Sequence, residues 1–220
     1  MTDAPVPTRF ADLWPPRDLV VRTPMLDLRL PTEPEIVQLA VLAGAGVNEE
    51  PDLPYALPWT VVASPELERN YCQHHAKALG DWKTTNWHLA MAVFVEGEPV
   101  GAQSLYGRDF ATYRTVVTGS WLGMQWQRRG IGTEMRTAIM HLAFAGLDAQ
   151  RAETLADLEN VSSNLVSERV GYELNGDELK SAHGNVRTMQ RYVLRRPAWE
   201  ARRRSDITIE GLDACRDMFG

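Results

Sequence analysis

Cysteine is scarce in this 220-residue chain: Cys72 and Cys215 are its only two, far apart and in neither a CxxC nor a zinc spacing. That argues against a disulfide framework and a cysteine-built metal site, and it fits reduced thiols in a cytoplasmic setting. His74 and His75 are adjacent, so on a helix their rings diverge and no metal pair is expected. Long apolar runs are missing, so no membrane span is expected. The first sixteen residues lack the basic end and apolar core of a signal peptide. Positive charge is in deficit, with 23 Lys and Arg against 29 Asp and Glu, and this disfavours nucleic acid as a general partner.

What is present is an ordinary folding composition, 44% hydrophobic and 24% charged, at a length that suits one domain. Residues 1–18, with Pro5, Pro7, Pro15 and Pro16, read as a loosely ordered arm. Leu26, Leu28 and Leu30 alternate with polar residues as in a strand. Helical spacing over 33–43 ends at Gly44 and Gly46, and Ser64-Pro65 reads as the start of a second helix running to about Trp82. Residues 88–95, 100–106 and 113–122 read as an antiparallel meander, the first two joined at Glu96-Gly97-Glu98. A helix from Gly130 to Gly146, a strand over 151–158, a helix over 161–170 and a strand over 187–194 follow. Residues 197–204 look helical, and 207–215 give mixed signals. The order predicts an α+β fold with a central mixed, mostly antiparallel sheet flanked by helices.

The most informative stretch is Gln127-Arg128-Arg129-Gly130-Ile131-Gly132-Thr133, between a strand and a long amphipathic helix. Glycines at a helix mouth leave backbone N–H groups uncovered, and the helix dipole and arginines add positive potential, which suits a phosphate. A P-loop needs GxxxxGK followed by Ser or Thr, which the chain lacks. A dinucleotide fingerprint needs a third glycine where Met135 stands. The pattern left is Gln/Arg-x-x-Gly-x-Gly/Ala. Here Gln127, Gly130 and Gly132 resemble the pyrophosphate motif of the GNAT family of acyl-coenzyme A N-acyltransferases. A second segment, from Asn160 and Ser163 to Arg169, Gly171 and Tyr172, resembles a late helix of that family's ribosomal-protein N-terminal acetyltransferase branch. Strings such as 119–123, 132–136 and 143–145 are also similar to a mycobacterial member that uses succinyl-CoA. The likeness covers roughly residues 24–195.

That resemblance implies an acyltransferase domain over 19–196 with splayed central strands, and residues 197–220 as an extension packed on it. It implies acetyl-CoA or succinyl-CoA as co-substrate. The pantetheine arm would lie near Leu122, Gly123 and Met124, the pyrophosphate on the loop from Gln127 through Arg128, Arg129, Gly130, Ile131 and Gly132 to Thr133, and Asn160 and Ser163 would face the pantetheine. Ser163 matches the branch's general acid, since the more usual tyrosine position falls at about Ser167. The usual base carboxylate is replaced by Val117 or Thr118, leaving His183, Glu178 and His88 as candidate bases, with His183 preferred. Glu49, Glu50, Trp59 and Trp87 are candidates for an acceptor wall that attracts a cationic amine: a protein N-terminus, a lysine or a small molecule. Self-association as a homo-oligomer is consistent with the likeness. A non-catalytic acyl-CoA sensor using the same cleft is the alternative, and an RNA-binding role for Arg195-Arg196 and Arg202-Arg203-Arg204 is a third reading that the acidic total opposes.

Overall fold

The computed structural model describes residues 7–47, 62–182 and 185–220. Its strands are β1 (Val20–Arg22), β2 (Asp27–Arg29), β3 (Asn86–Val95), β4 (Glu98–Arg108), β5 (Thr115–Leu122), β6 (Arg151–Asp157), β7 (Glu173–Ala182), β8 (Asn185–Arg195) and β9 (Thr208–Glu210). They form one sheet in the order β7-β8-β6-β5-β4-β3-β2-β1-β9. Each neighbouring pair is antiparallel except β5 and β6. The helices are α1 (Phe10–Leu13), α2 (Glu33–Gly44), α3 (Glu66–Gly80), α4 (Phe110–Tyr113), α5 (Ile131–His141), α6 (Val161–Val170) and α7 (Arg196–Glu200). The expected α+β architecture is therefore the observed one. Among the described residues no helix is long and apolar enough to cross a membrane.

Local sequence explains most of these elements. A capping box starts α2: the Thr32 side chain meets the backbone of Glu35, and the Glu35 carboxylate accepts from Thr32 N at 2.7 Å. The β3–β4 turn places Glu96 at φ 50° and Gly97 at φ 82°, the two left-handed residues of a type I′ hairpin. Helix α3 departs from expectation by beginning at Glu66 with Pro65 as its N-cap, one position later than Ser64 would set it. The proline-rich arm carries α1 and a 3-10 turn over Pro15–Asp18, because Ala11 and Pro16 find buried positions. Helix α7 stops at Glu200 rather than continuing through the arginine run.

Three strands are not legible in the apolar pattern. β7 is a polar edge strand with Gly176 at φ 88° beside a register shift, so neither alternation nor an apolar run marks it. β1 and β9 are three residues each, too short for a period to show, and they pair with each other at the far end of the sheet.

Strand alternation sorts the interior into two layers. Trp87, Leu89, Met91 and Val93 of β3, with Leu105, Val116 and Leu122, face the large core built around α5. The residues between them face α2 and α3, where Ala92, Phe94, Ala102 and Trp121 pack on Leu39, Ala43, Leu67 and Tyr71. The C-terminal segment closes the large core: Phe219 is 1% exposed and meets the Trp82 and Trp87 rings at 5.3 and 5.0 Å.

Candidate functional site

The parallel pairing of β5 with β6 runs from Thr115↔Arg151 to Thr118↔Thr154 and stops there. Both strands continue, β5 to Leu122 and β6 to Asp157, with no ladder between them. The expected splay is thus present. It opens into a cleft of about 1070 Å³ lined by residues of β5, β6, α3, β4, the glycine loop and α6.

Backbone polarity within the gap follows from alternation. Thr154 Oγ1 donates to Thr118 O at 3.2 Å, so Thr118 turns its peptide groups toward β6. Two and four residues on, Ser120 and Leu122 turn theirs the same way, into the gap. The Leu122 carbonyl accepts from Gln127 Nε2 at 3.0 Å, and beyond Thr118↔Thr154 the Leu122 N–H and both groups of Ser120 have no β6 partner in the ladder. The expected participation of Gly123 and Met124 is corrected on this point. Gly123 N donates to Val100 O at 3.0 Å and Met124 N to Gly46 O at 3.2 Å, so neither N–H is free, and neither residue lines the cleft.

The glycine loop has the geometry its composition suggests. Gly130 is the N-cap of α5 at φ 82°, a left-handed conformation, and a Cβ there would meet open space. The N–H groups of residues 129–132 make no hydrogen bond among the described residues, whereas Thr133 N and Glu134 N already turn back to Gly130 O. Uncovered N–H groups at the positive end of an eleven-residue helix form a cradle for an anion. Arg128, Gly130, Gly132 and Thr133 line the cleft. Arg129 leans over the Trp126 ring at 5.1 Å, and the Ile131 side chain is buried, so only the backbone of these two bears on the cradle. Gln127 holds the loop from behind: besides Leu122 O, its amide reaches Val47 O at 2.7 Å.

Across the gap, Asn160 caps α6, its Oδ1 accepting from Ser163 N at 3.0 Å, and both residues line the cleft. Ser167 is fully buried and donates to Ser163 O at 3.1 Å, so it holds the helix rather than facing a ligand. The end of β6 is fixed by Asp157, 2% exposed, which accepts from Arg187 Nε at 2.8 Å and Nη2 at 3.0 Å.

Arg136 is a cleft residue that the motifs do not mark. It is 3% exposed on α5, one turn after Gly132, and it lines the cleft. Its guanidinium reaches Ser120 Oγ at 2.9 Å and Thr154 Oγ1 at 3.4 Å, while its Nε has no partner and no carboxylate pairs with it among the described residues. Burial pushes its pKa below the ordinary guanidinium value, and the nearby Tyr172 works against that shift. The available signal was an arginine standing in the apolar stripe of an amphipathic helix.

On the α2/α3 face, β4 presents Ser104 and Tyr106 to the cleft, and α3 presents Tyr71, His74 and His75. His88 sits directly across from Tyr106 in the β3–β4 register. The rings stack at 4.1 Å, and His88 Nε2 lies 3.0 Å from Ser104 Oγ. Burial, then the neighbouring imidazoles, push His88 down to about 3 and His75 down to about 4.

Trp87 does not contribute to the expected acceptor wall. Trp87 is 2% exposed in the large core, its Nε1 donating to Phe219 O at 2.9 Å, because it points to the opposite face from its neighbour His88. Glu178 is engaged with Lys180 at 3.2 Å and is not a cleft residue. Glu49, Glu50, Trp59 and His183 lie outside the described residues. No cluster of three His, Cys, Asp or Glu side chains suited to a metal occurs among the described residues.

A nine-stranded sheet split between a parallel pair, with a helix mouth at one end of the split, defines a mixed α+β class of fold with a cleft through its sheet. The particular family is given by comparison: the acetyltransferase (GNAT) domain model matches residues 26–173, and the chain belongs to that family. Similar solved structures include RimL, a ribosomal L7/L12 alpha-N-protein acetyltransferase in complex with coenzyme A, at 20% identity and TM-score 0.66 over 81% of this chain and 99% of that one. Another is RimJ of Mycobacterium smegmatis in complex with CoA-disulfide, at 19% identity and TM-score 0.64 over 81% and 88%. A third is the microcin C7 self-immunity acetyltransferase MccE with acetyl-CoA and AMP, at 18% identity and TM-score 0.64 over 78% and 93%. At these identities the likeness is one of fold.

Proposed function

We propose that this chain is an acyl-CoA-dependent N-acyltransferase that moves an acetyl or succinyl group to a primary amine by direct attack. The observation that carries the reading is the opening of the β5–β6 ladder beyond Thr118↔Thr154 into the same cleft as the uncovered N–H groups of residues 129–132. The cradle takes the pyrophosphate of coenzyme A. The pantetheine arm runs through the gap, accepting from Leu122 N–H and pairing with Ser120. The acceptor enters from the α2/α3 face, between Tyr106 and His74.

The chemistry asks little of the protein. The neutral amine nitrogen attacks the thioester carbonyl, a C–N bond forms, the C–S bond breaks, and the amine gives up one proton while the thiolate gains one. Ser163, which lines the cleft on α6, supplies that proton to the thiolate in this reading. A backbone N–H of the splayed β5 segment stabilises the oxyanion.

Arg136 favours a carboxylate-bearing acyl group. A buried guanidinium without an anionic partner is unfavourable by itself, and a succinyl carboxylate would supply the missing charge. The test is thiol release from acetyl-CoA and succinyl-CoA with a panel of amines, using the wild-type chain and Arg136→Met. Turnover with succinyl-CoA that falls at least about tenfold in the variant, while acetyl-CoA turnover holds, supports the acyl assignment. Tight binding of both esters with no turnover on any amine would replace the enzyme by an acyl-CoA sensor.

A further inference from the structure

No carboxylate stands at 117 or 118, and among the described residues the polar side chains that α3 and β4 present to the cleft are Asn70, Tyr71, His74, His75, Ser104 and Tyr106. Ser104 is set apart among them by a hydroxyl within hydrogen-bond distance of a histidine nitrogen. His88 Nε2 is 3.0 Å from Ser104 Oγ, and its ring is clamped by Tyr106 on one face and met edge-on by His74 at 4.9 Å. His88 and Ser104 are fixed by strand register, on paired strands rather than on loops. His74 is exposed, so the imidazole cluster reaches from the buried Ser104 and half-buried His88 to solvent.

We propose that Ser104 and His88 form the proton-accepting pair for the acceptor amine, an inference that rests on the acyl-transfer reading above. After the C–N bond forms, the ammonium nitrogen gives a proton to Ser104 Oγ while the Ser104 hydroxyl proton passes to His88 Nε2. The C–S bond breaks and the thiolate takes its proton from Ser163. His88 then releases its proton toward His74 and solvent, from which Ser163 is recharged, so the proton lost by the amine balances the one gained by the thiol. Ser104 is the catalytic residue of the pair; His88 acts through it and is a positioning and proton-holding residue. The groups facing His88 are His74 and His75 from α3 and Ser104 and Tyr106 from β4. They carry no negative charge, so the imidazolium is short-lived and the pair resets as a neutral acceptor. Burial holds His88 neutral well below the working pH.

The experiment uses the full chain with Ser104→Ala, His88→Gln, the double variant and Ser104→Thr. Gln keeps a hydrogen-bonding partner for Ser104 but cannot take a proton. Each single variant should lower kcat about 100-fold, and the double no further, with acyl-CoA affinity by calorimetry within about twofold of wild type. Ser104→Thr, which retains the hydroxyl, should recover most of the rate. Losses under about threefold, or losses that multiply in the double variant, overturn the proposal. Imidazole nitrogen NMR separates this from failure of the acyl-transfer reading. The pair requires His88 as the Nδ1–H tautomer with Nε2 accepting from Ser104, and a signal that changes in Ser104→Ala. An Nε2–H tautomer overturns the pair even if no amine is ever turned over.

Discussion

The two faces of the sheet do different work, although the same strands build both. Toward α5, β3 and β4 present tryptophan, leucine, methionine and valine that close a continuous core with Phe144, Trp199 and Phe219. Toward α2 and α3, the next residues of the same strands are His88, Ser104 and Tyr106, and the apolar cluster beside them is smaller. Stability is concentrated on the first face. The second gives up apolar packing to hold polar groups at the mouth of the cleft. The lesson is that a single strand can serve both purposes when each takes one parity of its residues.

The sharpest way to break that comparison is to hollow out the packed face. Trp87→Ala removes a buried indole and strands the Phe219 carbonyl, and it should destabilise by about 3–5 kcal/mol in denaturant unfolding. Tyr106→Phe on the other face removes only a hydroxyl and should shift stability by less than about 1 kcal/mol while lowering turnover. Equal losses would mean that both faces carry the fold.

A second prediction concerns the lip of the splay. Arg187→Ala leaves Asp157 buried without its bidentate partner and should destabilise by about 3 kcal/mol, with a weaker acyl-CoA site as β6 loosens. Differential scanning calorimetry with and without acetyl-CoA reads both effects.

Acid should act on the histidine face first. His75 and His88 have folded pKa values depressed to about 4 and about 3 from an ordinary 6.5, so the unfolded chain binds protons before the folded one. Stability is then complete above about pH 6.5 and falls as the pH drops toward 4, by up to about 1.4 kcal/mol per pH unit for each histidine. Glu35, held near 2 mainly by its hydrogen bond from Arg29, loses its contribution only below its unfolded value of 4.5. The window between 6.5 and 4.5 therefore belongs to the histidines. Unfolding free energies at pH 7 and pH 5 should differ less in His88→Gln than in wild type, and an unchanged difference would contradict the assignment.

The halves of the cleft differ in how far the sequence alone discloses them. The coenzyme half is legible because backbone demands fix residue type. A left-handed N-cap calls for Gly130, and an open helix mouth excludes side chains, so the pattern survives as letters. The finer assignment of Gly123 and Met124 fails because their N–H groups are consumed by Val100 and Gly46, contacts that no local pattern encodes. The acceptor half depends on register. His88 meets Tyr106 and reaches Ser104 only once β3 and β4 are paired, and a shift of one residue would turn Trp87 to that face instead. Arg136 is readable only as an exception, a charge inside an apolar stripe, whose meaning needs the splay beside it.

The central claim is that the glycine loop and the strand gap form one acyl-CoA site. Calorimetric titration of acetyl-CoA into the wild-type chain and Gly130→Asp tests it most directly. Aspartate is among the side chains that best tolerate a left-handed backbone and its Cβ would meet open space, so the variant carries backbone strain at φ 82° but no clash, while a negative charge enters the cradle. One site per chain is expected in wild type, weakened at least about tenfold in the variant, with a lowered melting temperature but the far-UV circular dichroism of the folded chain. Equal affinity in the two proteins, or no binding to either, would contradict it.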